Sequence, residues 1–228
     1  MPLISIIVPC LNEAVLLPMT LVALQSLRQQ GVELIVVDGG SSDNTVALAT
    51  PLVDMMLVAP AGRANQLNKG ATVAQGRLLV FLHADTRLPA DALALLSSVA
   101  SSKLCWGRFD VRLDGEQWVF RLIERMMNWR SCLTGMVTGD HTLFLSKALF
   151  EELGGFPPVA LMEDIAISKR LKKHSRPICF HSRVVTSSRR WQQNGALRTV
   201  LLMWQLRLAF FFKADPVALA KKYRANHE

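Results

Sequence analysis

Three carboxylates in the first half of the chain stand directly after apolar segments. They are Glu13, Asp38 and Asp85. If the apolar segments are parallel strands joined by helical crossovers, their carboxyl ends lie at one edge of a sheet, so the three side chains should converge. A crevice lined by carboxylates suits a divalent cation together with a hydroxyl-rich, phosphate-bearing ligand.

The segment from Glu33 to Thr45 shows the pattern most clearly. Leu34 to Val37 has no polar alternation, which predicts a strand buried on both faces. Small and polar residues follow Asp38: Gly39, Gly40, Ser41, Ser42 and Asp43. Glycines permit a sharp turn and the others offer caps for a helix that begins near residue 44 or 45. An ordinary strand–turn–helix joint explains this segment equally well when it is taken alone.

Two further apolar segments predict strands, at Ser5 to Cys10 and at Leu78 to Leu82. A predicted helix over about residues 16–30 follows the first strand. The residues at their ends are Pro9, Asn12 and Glu13 for the first strand, and His83, Ala84 and Asp85 for the second. Between the strand ends, a polar stretch that contains Arg63 and Asn68 predicts another helix.

A pair of adjacent carboxylates, Glu163 and Asp164, opens a predicted helix from Leu161 to Leu171. Acidic residues at a helix start interact favourably with the helix dipole, which would by itself explain them. The alternative is that one of them acts as a general base.

Six segments in this order resemble the inverting glycosyltransferases of family 2, which have the GT-A fold: PCLNE, VVDGGSSDNT, RANQLNKGATVAQG, LVFLHADT, GGF and LMEDIAISKRL. The resemblance covers roughly residues 3–191. Within the family, the chain is similar to a bacterial subgroup of small, stand-alone transferases. It implies an α/β, Rossmann-like and mostly parallel central sheet with flanking helices. The catalytic domain is expected over residues 1–192, and an amphipathic helical extension over residues 193–228.

The resemblance also implies a nucleotide-sugar donor, a UDP- or GDP-sugar, lying across the strand ends. Glu13 and Asp38 match the positions that hold base and ribose, and Asp85 matches the aspartate that binds Mg²⁺ or Mn²⁺. His83 stands where the family usually has the first aspartate of Asp-x-Asp. The full set expected on the donor side is Pro9, Asn12, Glu13, Asp38, Gly39, Ser41, Asp43, Arg63, Asn68, His83, Ala84 and Asp85. His141 and His181 are candidate further metal ligands, or else histidines with structural hydrogen bonds.

For catalysis, the resemblance implies that Asp164 deprotonates the acceptor hydroxyl and that Glu163 supports it. The residues expected near the acceptor or the diphosphate are Asp140, Gly155, Phe156, Arg190 and Trp191. Ser187 replaces the glutamine of the QxxRW motif, which argues against a processive polymerase. Two other functions stay open: a sugar-nucleotide nucleotidyltransferase and a non-catalytic nucleotide-binding protein of the membrane surface. A dehydrogenase is disfavoured because no GxGxxG follows the first strand.

The amino-acid composition favours some classes of ligand and partner over others. The 228 residues are 50% hydrophobic and carry a net charge of +8, which favours phosphorylated ligands or an anionic membrane surface. Nucleic acid is disfavoured because no basic patch is interleaved with stacking aromatics. The four cysteines, Cys10, Cys105, Cys132 and Cys179, lack metal spacing and predict reduced cytoplasmic thiols. The N-terminus shows no signal-peptide pattern, so a cytoplasmic location is expected.

The C-terminal stretch from Leu197 to Phe212 is apolar but is interrupted by Arg198, Gln205 and Arg207. Its charge-free part is far shorter than the roughly 20 residues that span a bilayer. It predicts either an amphipathic helix lying on the inner face of a membrane or a helix packed on the core or in a homodimer interface. A second basic and apolar stretch, Trp118 to Arg130, could share that surface, and the acceptor would then be a lipid or a membrane-bound saccharide.

Overall fold

The computed structural model describes residues 3–212 and 214–224. Within these residues, eight strands form one sheet: β1 (Ile4–Cys10), β2 (Glu33–Asp38), β3 (Met55–Val58), β4 (Leu78–Phe81), β5 (Thr86–Arg87), β6 (Trp106–Leu113), β7 (Leu143–Ser146) and β8 (Ile178–Thr186). Their order in the sheet is β3-β2-β1-β4-β7-β6-β8-β5. The three strands predicted from the sequence are therefore neighbours, with β1 in the middle.

Four strand pairs are parallel and three are antiparallel, so the sheet is a mixed one with a parallel majority. Strands β1, β2, β3 and β4 pair in parallel, and the register sets Cys10 opposite Asp38. All residues of β1 are buried, as expected of an aliphatic strand covered on both faces. The mostly parallel α/β sheet with flanking helices that the sequence predicts is confirmed.

The helices are α1 (Leu17–Ala23), α2 (Gln25–Gln29), α3 (Thr45–Ala49), α4 (Arg63–Val73), α5 (Ala92–Val99), α6 (Trp118–Thr134), α7 (Lys147–Glu152), α8 (Glu163–Leu171), α9 (Arg189–Asn194), α10 (Ala196–Phe211) and α11 (Pro216–Arg224). The helix predicted over residues 16–30 is divided at Leu24 into α1 and α2. The predicted boundary at residue 192 falls inside α9.

Apolar clusters cover both faces of the sheet. Ile6 and Val8 of β1 point into one cluster, which also holds Leu17 and Leu21 of α1. Ile7 points into the other, against α4 and α8. Because successive residues of a strand face opposite sides, one aliphatic run supplies both clusters and fixes where the strand ends lie.

Helices α10 and α11 pack on the beginning of α8. Leu206 of α10 and Leu219 of α11 are buried with Met162 and Ile165 in a separate cluster. The C-terminal helices therefore support the segment that carries Glu163 and Asp164.

The cysteines differ from the expectation of four reduced thiols. Cys132 and Cys179 form a disulfide, with their Cα atoms 6.1 Å apart, while Cys10 and Cys105 are free and buried. The pair is 47 residues apart in the sequence, and packing of the end of α6 beside β8 brings it together. Since the expected cytoplasmic location drew on reduced thiols, it loses that support and stays a prediction.

Candidate active site

A cleft of about 1100 Å³ opens at the carboxyl ends of β1 and β4, between the sheet edge and helices α6, α9 and α10. It brings together six residues that the sequence predicted: Asn12, Glu13, His83, Asp85, Asp140 and Trp191. Residues far apart in the chain thus meet where parallel strands end, which is where ligands bind in open α/β sheets.

The loops that follow β1 and β2 are held together by hydrogen bonds. The Asn12 side-chain oxygen accepts from the backbone N–H of Ser42 at 2.8 Å, and the Asn12 N–H donates to the Ser41 hydroxyl at 2.8 Å. The Glu13 N–H donates to the Thr45 hydroxyl at 2.8 Å. Asn12 adopts a φ of 54°, in the left-handed region. These contacts fix the loop that presents Glu13 to the cleft.

Asp38 is only 2% exposed and does not line the cleft. Its Oδ2 accepts from the backbone N–H groups of Gly40 and Ser41, and its Oδ1 accepts from the Ser41 hydroxyl. Burial raises the pKa of Asp38, but these hydrogen bonds outweigh it and the pKa is lowered. The structure gives Asp38 the role of shaping the turn, and its contact with a nucleoside stays a prediction.

Other residues of the expected donor set also act through the backbone or the turns. Asp43 accepts from Thr45 and from the Ala14 N–H. Pro9 and Ala84 are buried, and the Gly39 N–H donates to the Cys10 carbonyl. These residues set the course of the strand ends rather than lining the cleft.

Glu13 and Asp85 form the acidic end of the cleft. Burial raises the pKa of Glu13, and the charge of Asp85 adds to this effect, while Arg189 opposes it. Arg189 is exposed and lines the cleft, although the sequence analysis favoured Arg190. The Arg190 side chain lies outside the described part of the structure.

The donor atoms at this end suit a hard cation. Asp85 is half-buried and offers a carboxylate, and Mg²⁺ or Mn²⁺ needs only one or two carboxylates besides phosphates and water. Over the described residues, the structure contains no group of three or more His, Cys, Asp or Glu side chains placed to hold a metal by themselves.

The two histidines considered as further ligands lie elsewhere. His141 is buried, with Nδ1 at 2.9 Å from the Thr138 hydroxyl, and His181 is hydrogen-bonded to Asp110 at 3.1 Å. Neither lines the cleft, so both have the structural role that the sequence analysis left open.

His83 links the cleft to the predicted catalytic carboxylates. Its Nε2 is hydrogen-bonded to Arg63 Nη2, and its Nδ1 lies 3.5 Å from Asp140 Oδ1. Arg63 Nε lies 3.7 Å from Glu163 Oε1. Because a guanidinium only donates, His83 Nε2 must accept, and the neutral ring then carries its proton on Nδ1, facing Asp140.

Asp164 lies behind this chain of contacts. Its Oδ2 accepts from the Gly139 N–H at 2.8 Å and its Oδ1 from the Ile165 N–H at 2.7 Å. It lines a smaller cavity beside His83 and Phe156, and does not line the large cleft. A Cβ added at position 139 would collide with the His83 ring, so a side chain there would require His83 to move.

Glu163 is buried beside Asp164. Burial raises the pKa of Glu163, and the charge of Asp164 adds to this, while Arg63 opposes it. The structure thus brings the carboxylate pair and Arg63 together around the smaller cavity.

Asn68 lies beside the GGF turn, residues 154–156. Its amide nitrogen donates to the Phe156 carbonyl at 2.9 Å, and its amide oxygen accepts from the Phe156 N–H at 2.8 Å. Gly155 has a φ of +75°, and an added Cβ would lie 2.7 Å from the Asn68 oxygen. Asn68 therefore holds the GGF turn, and its expected contact with a nucleotide stays a prediction.

Two arginines that the sequence analysis did not select also line the cleft. They are Arg130, near the end of α6, and Arg207, in α10. The available signal was a positive charge inside an otherwise apolar helical stretch, which does not reveal the direction of the side chain.

The model of the family described as "Glycosyl transferase family 2" matches residues 5–151. The chain belongs to this family. The matched residues contain the strand ends with Glu13, Asp38 and Asp85, whereas α8 to α11 follow the matched part.

A relative from Mycobacterium bovis, a PGL/p-HBAD biosynthesis glycosyltransferase, is 30% identical over 169 residues, which cover 68% of this chain and 63% of that protein. The chain thus spans less than two thirds of the length of this curated relative.

Two solved structures share the fold. A mannosyltransferase from Pyrobaculum calidifontis in complex with GDP-Man and Mn²⁺ has a TM-score of 0.63 at 21% identity, over 81% of this chain and 56% of that one. TarS 1-349 from S. aureus, in complex with UDP-GlcNAc, has a TM-score of 0.62 at 17% identity, over 82% and 58% of the two chains.

Proposed function

We propose that this protein is an inverting glycosyltransferase that moves a sugar from a UDP- or GDP-sugar to a hydroxyl group of an acceptor at a membrane surface. The observation that carries the proposal is that Glu13, His83, Asp85 and Asp140 share one cleft at the carboxyl ends of β1 and β4. Family membership and the GDP-Man and UDP-GlcNAc bound by the two structural neighbours support it.

On the donor side, the loops after β1 and β2 bind the nucleoside. Glu13 accepts hydrogen bonds from the base or the ribose, in a loop that the cross-links to residues 41–45 hold in place. Arg189, beside Glu13, meets the diphosphate. Asp85 would hold Mg²⁺ or Mn²⁺, and the ion would supply positive charge opposite the leaving diphosphate.

In the transfer step, the acceptor oxygen bonds to the anomeric carbon from the face opposite the diphosphate. The bond between that carbon and the phosphate oxygen breaks, and the nucleoside diphosphate leaves with the electron pair. The acceptor's proton goes to Asp164. The N–H groups of Gly139 and Ile165 orient this carboxylate and leave each oxygen a free lone pair.

The position of Asp164 restricts how the acceptor enters. The acceptor hydroxyl must reach the smaller cavity beside His83, which borders both the smaller cavity and the large cleft. His83, fixed between Arg63 and Asp140, then separates donor and base in the absence of acceptor.

The membrane part of the proposal rests on two exposed apolar faces. On α6 they are formed by Trp118, Leu122, Met126, Trp129 and Leu133, and on α10 by Leu201, Trp204, Leu208 and Phe211. Met126, Trp129 and Trp204 also line the mouth of the cleft, so both faces flank it. Aromatic and aliphatic side chains next to exposed arginines suit an anionic membrane interface. Of the helices in the described ranges, none is long and apolar enough to cross a membrane.

Liposome sedimentation tests the membrane part. L133E and L208E should reduce binding to anionic vesicles, because each puts a negative charge on one of these faces, whereas L104E alters an exposed leucine outside both helices. Equal vesicle binding by the wild type and the three variants would contradict the membrane part of the proposal. The alternative partner of these two faces is a second copy of the chain. A mixture of monomer and dimer in analytical ultracentrifugation without lipid would favour it.

Isothermal titration tests the transferase itself. UDP, GDP, UDP-glucose, UDP-N-acetylglucosamine and GDP-mannose are titrated with and without Mn²⁺. One nucleotide class should bind in a metal-dependent manner, and D85A should lose that binding. Binding of none of them would contradict the proposal, and release of pyrophosphate from a nucleoside triphosphate and a sugar phosphate would identify a nucleotidyltransferase instead.

A further inference from the structure

Arg130 and Arg207 present polar hydrogens that nothing in the described structure accepts. Both line the large cleft, one from α6 and the other from α10. Arg130 Nη2 and Arg207 Nε are buried atoms without a hydrogen-bond partner. The other contact of the Arg130 guanidinium is a long one, from Nη1 to the Met136 carbonyl at 3.4 Å.

This arrangement is unfavourable without a ligand. A buried donor without an acceptor costs free energy, more so when it belongs to a charged group. Burial and the charge of Arg207 together lower the pKa of Arg130 to about 10. Burial also lowers the pKa of Arg207, with Asp164 and Asp140 opposing. Two cations held together in a partly dry cleft attract an anion.

The charges that act on the pair differ from those that act on the donor end. The carboxylate that acts on Arg130 is Asp164, and those that act on Arg207 are Asp164 and Asp140. The charges that act on Glu13 are different ones, led by Arg189 and Asp85. The arginines therefore accompany the proposed base, whereas Arg189 accompanies the proposed metal ligand.

We propose that Arg130 and Arg207 bind a phosphate group of the acceptor substrate. This inference rests on the proposed function for its assignment to the acceptor. A phosphate suits two guanidinium groups from two helices, because its oxygens are arranged tetrahedrally, whereas one guanidinium fork already satisfies a carboxylate. Met126 and Met127 lie one helical turn before Arg130, Met203 and Trp204 lie one turn before Arg207, and all four line the cleft, so the group next to the phosphate is apolar.

The phosphate could belong to a soluble phosphomonoester or to a lipid head group, and two probes distinguish these sources. The first is glycerol 3-phosphate, and the second is phosphatidic acid in phosphatidylcholine vesicles. Binding of each is measured with UDP and Mn²⁺ present, so that the donor site is filled. Binding of glycerol 3-phosphate by the wild type, or vesicle binding that R130Q or R207Q weakens, supports a phosphate site, and the probe that binds in this way names the source.

The variants R130Q and R207Q should each weaken binding of that probe about tenfold, since each removes charge-assisted hydrogen bonds. The matched controls are R125Q on α6 and R198Q on α10, which remove the same charge from exposed positions outside the cleft. Binding of neither probe, or equal loss in all four variants, would overturn the inference. If a glutamine variant fails to fold, R130K and R207K keep the charge without the fork, and the same weakening relative to R125K and R198K is expected.

The affinity for UDP and Mn²⁺ provides the second readout. It should be unchanged in R130Q and R207Q. If it falls as much as probe binding, the arginines bind the donor diphosphate and the inference is wrong. If the wild type binds the phosphate probe but no nucleotide, the proposed function fails and the assignment to an acceptor falls with it, while the phosphate site stands.

Thermal unfolding without ligand separates binding from a structural role. Each cleft variant removes one of two neighbouring buried positive charges. R130Q and R207Q should therefore be at least as stable as R125Q and R198Q. A clear loss of stability in the cleft variants alone, together with unchanged probe binding, would make the arginines structural.

Discussion

The two ends of the cleft differ in how well their polar groups are satisfied. At the Glu13 end, Asp38, Asn12 and the hydroxyls of the turn after β2 are hydrogen-bonded to one another. At the other end, called here the Arg130 end, Arg130 and Arg207 hold buried N–H groups without acceptors among the described residues. The turns of the first end are hydrogen-bonded without a ligand, whereas the second end gains its missing contacts only from one.

This difference implies that the first end is preformed for its ligand, whereas the polar groups of the second end are satisfied only when a ligand binds. The turns at the Glu13 end present a preformed surface, which lowers the entropy lost on binding a nucleotide. The unpaired N–H groups at the Arg130 end lower the stability of the protein without ligand and favour ligand binding, as is common at functional sites. The family match over residues 5–151 contains the strand ends of the first end and also Arg130 of the second, while Arg207 on α10 follows that range.

The largest effect is expected at Asp164. If this carboxylate is the base, D164N should lower the rate of transfer, or of donor hydrolysis where water replaces the acceptor, by at least about 10²-fold. The affinity for nucleotide should not change, since Asp164 does not line the donor end. E116Q, at an exposed carboxylate outside the cleft, is the control. Transfer near the wild-type rate in D164N would show that another group takes the proton.

The segment between the two ends should make the fold sensitive to acid. Burial lowers the pKa of His141 to about 3, with Arg108 adding to the effect. The charged groups facing it are Arg108, Arg130, Asp110 and Asp140. Since the folded pKa lies below the unfolded value of about 6.5, the neutral ring stabilises the fold above that pH, and this contribution is lost as the pH falls towards 3.

The check is the slope of the unfolding free energy against pH between about 6.5 and 3. H141Q should reduce that slope by up to about 1.4 kcal/mol per pH unit, whatever its effect on overall stability. H181Q, at an exposed histidine, serves as the control. Identical slopes in H141Q and the wild type would refute a neutral buried His141.

A smaller effect is expected where α4 meets the GGF turn. N68A removes both hydrogen bonds to Phe156, which should cost about 1–3 kcal/mol of unfolding free energy. N65A alters an exposed asparagine of the same helix and should cost much less. Denaturant unfolding measures both. If N68A loses more free energy of nucleotide binding than free energy of unfolding, Asn68 contacts the donor, as the sequence analysis expects.

The smallest effect is expected from loosening the Glu13 end. N12A removes the acceptor of the Ser42 N–H and should cost about 1 kcal/mol of unfolding free energy, with a comparable loss of nucleotide affinity. Titration of UDP or GDP checks this. Unchanged affinity would mean that the loop is preformed without Asn12, and that the contrast between the two ends is weaker than described.

The sequence predicted the Glu13 end because its signals are local. An apolar run and the Gly/Ser/Asp turn after it determine β2, the turn and the start of α3 within a few residues of one another. Contacts between distant elements leave no such signal. Asn68 and Phe156 are 88 residues apart, and the hydrogen bond between Arg63 and His83 depends on how α4 packs over the strand ends.

The same reasoning explains the residues that the sequence analysis missed. Arg207 interrupts an apolar helix, which is compatible with a membrane surface, a dimer interface or a cleft. Only the packing of α10 against the beginning of α8 turns it towards Arg130 and the cleft. The Cys132–Cys179 disulfide likewise requires α6 and β8 to be neighbours.

The division of the cleft is tested most directly by locating a bound donor product. Crystals grown with UDP and Mn²⁺ would give an anomalous signal for the metal and density for the nucleotide. The account predicts Mn²⁺ on Asp85, the uridine beside Glu13, and no contact between the diphosphate and Arg130 or Arg207. A diphosphate bound between those two arginines, with the metal away from Asp85, would contradict it.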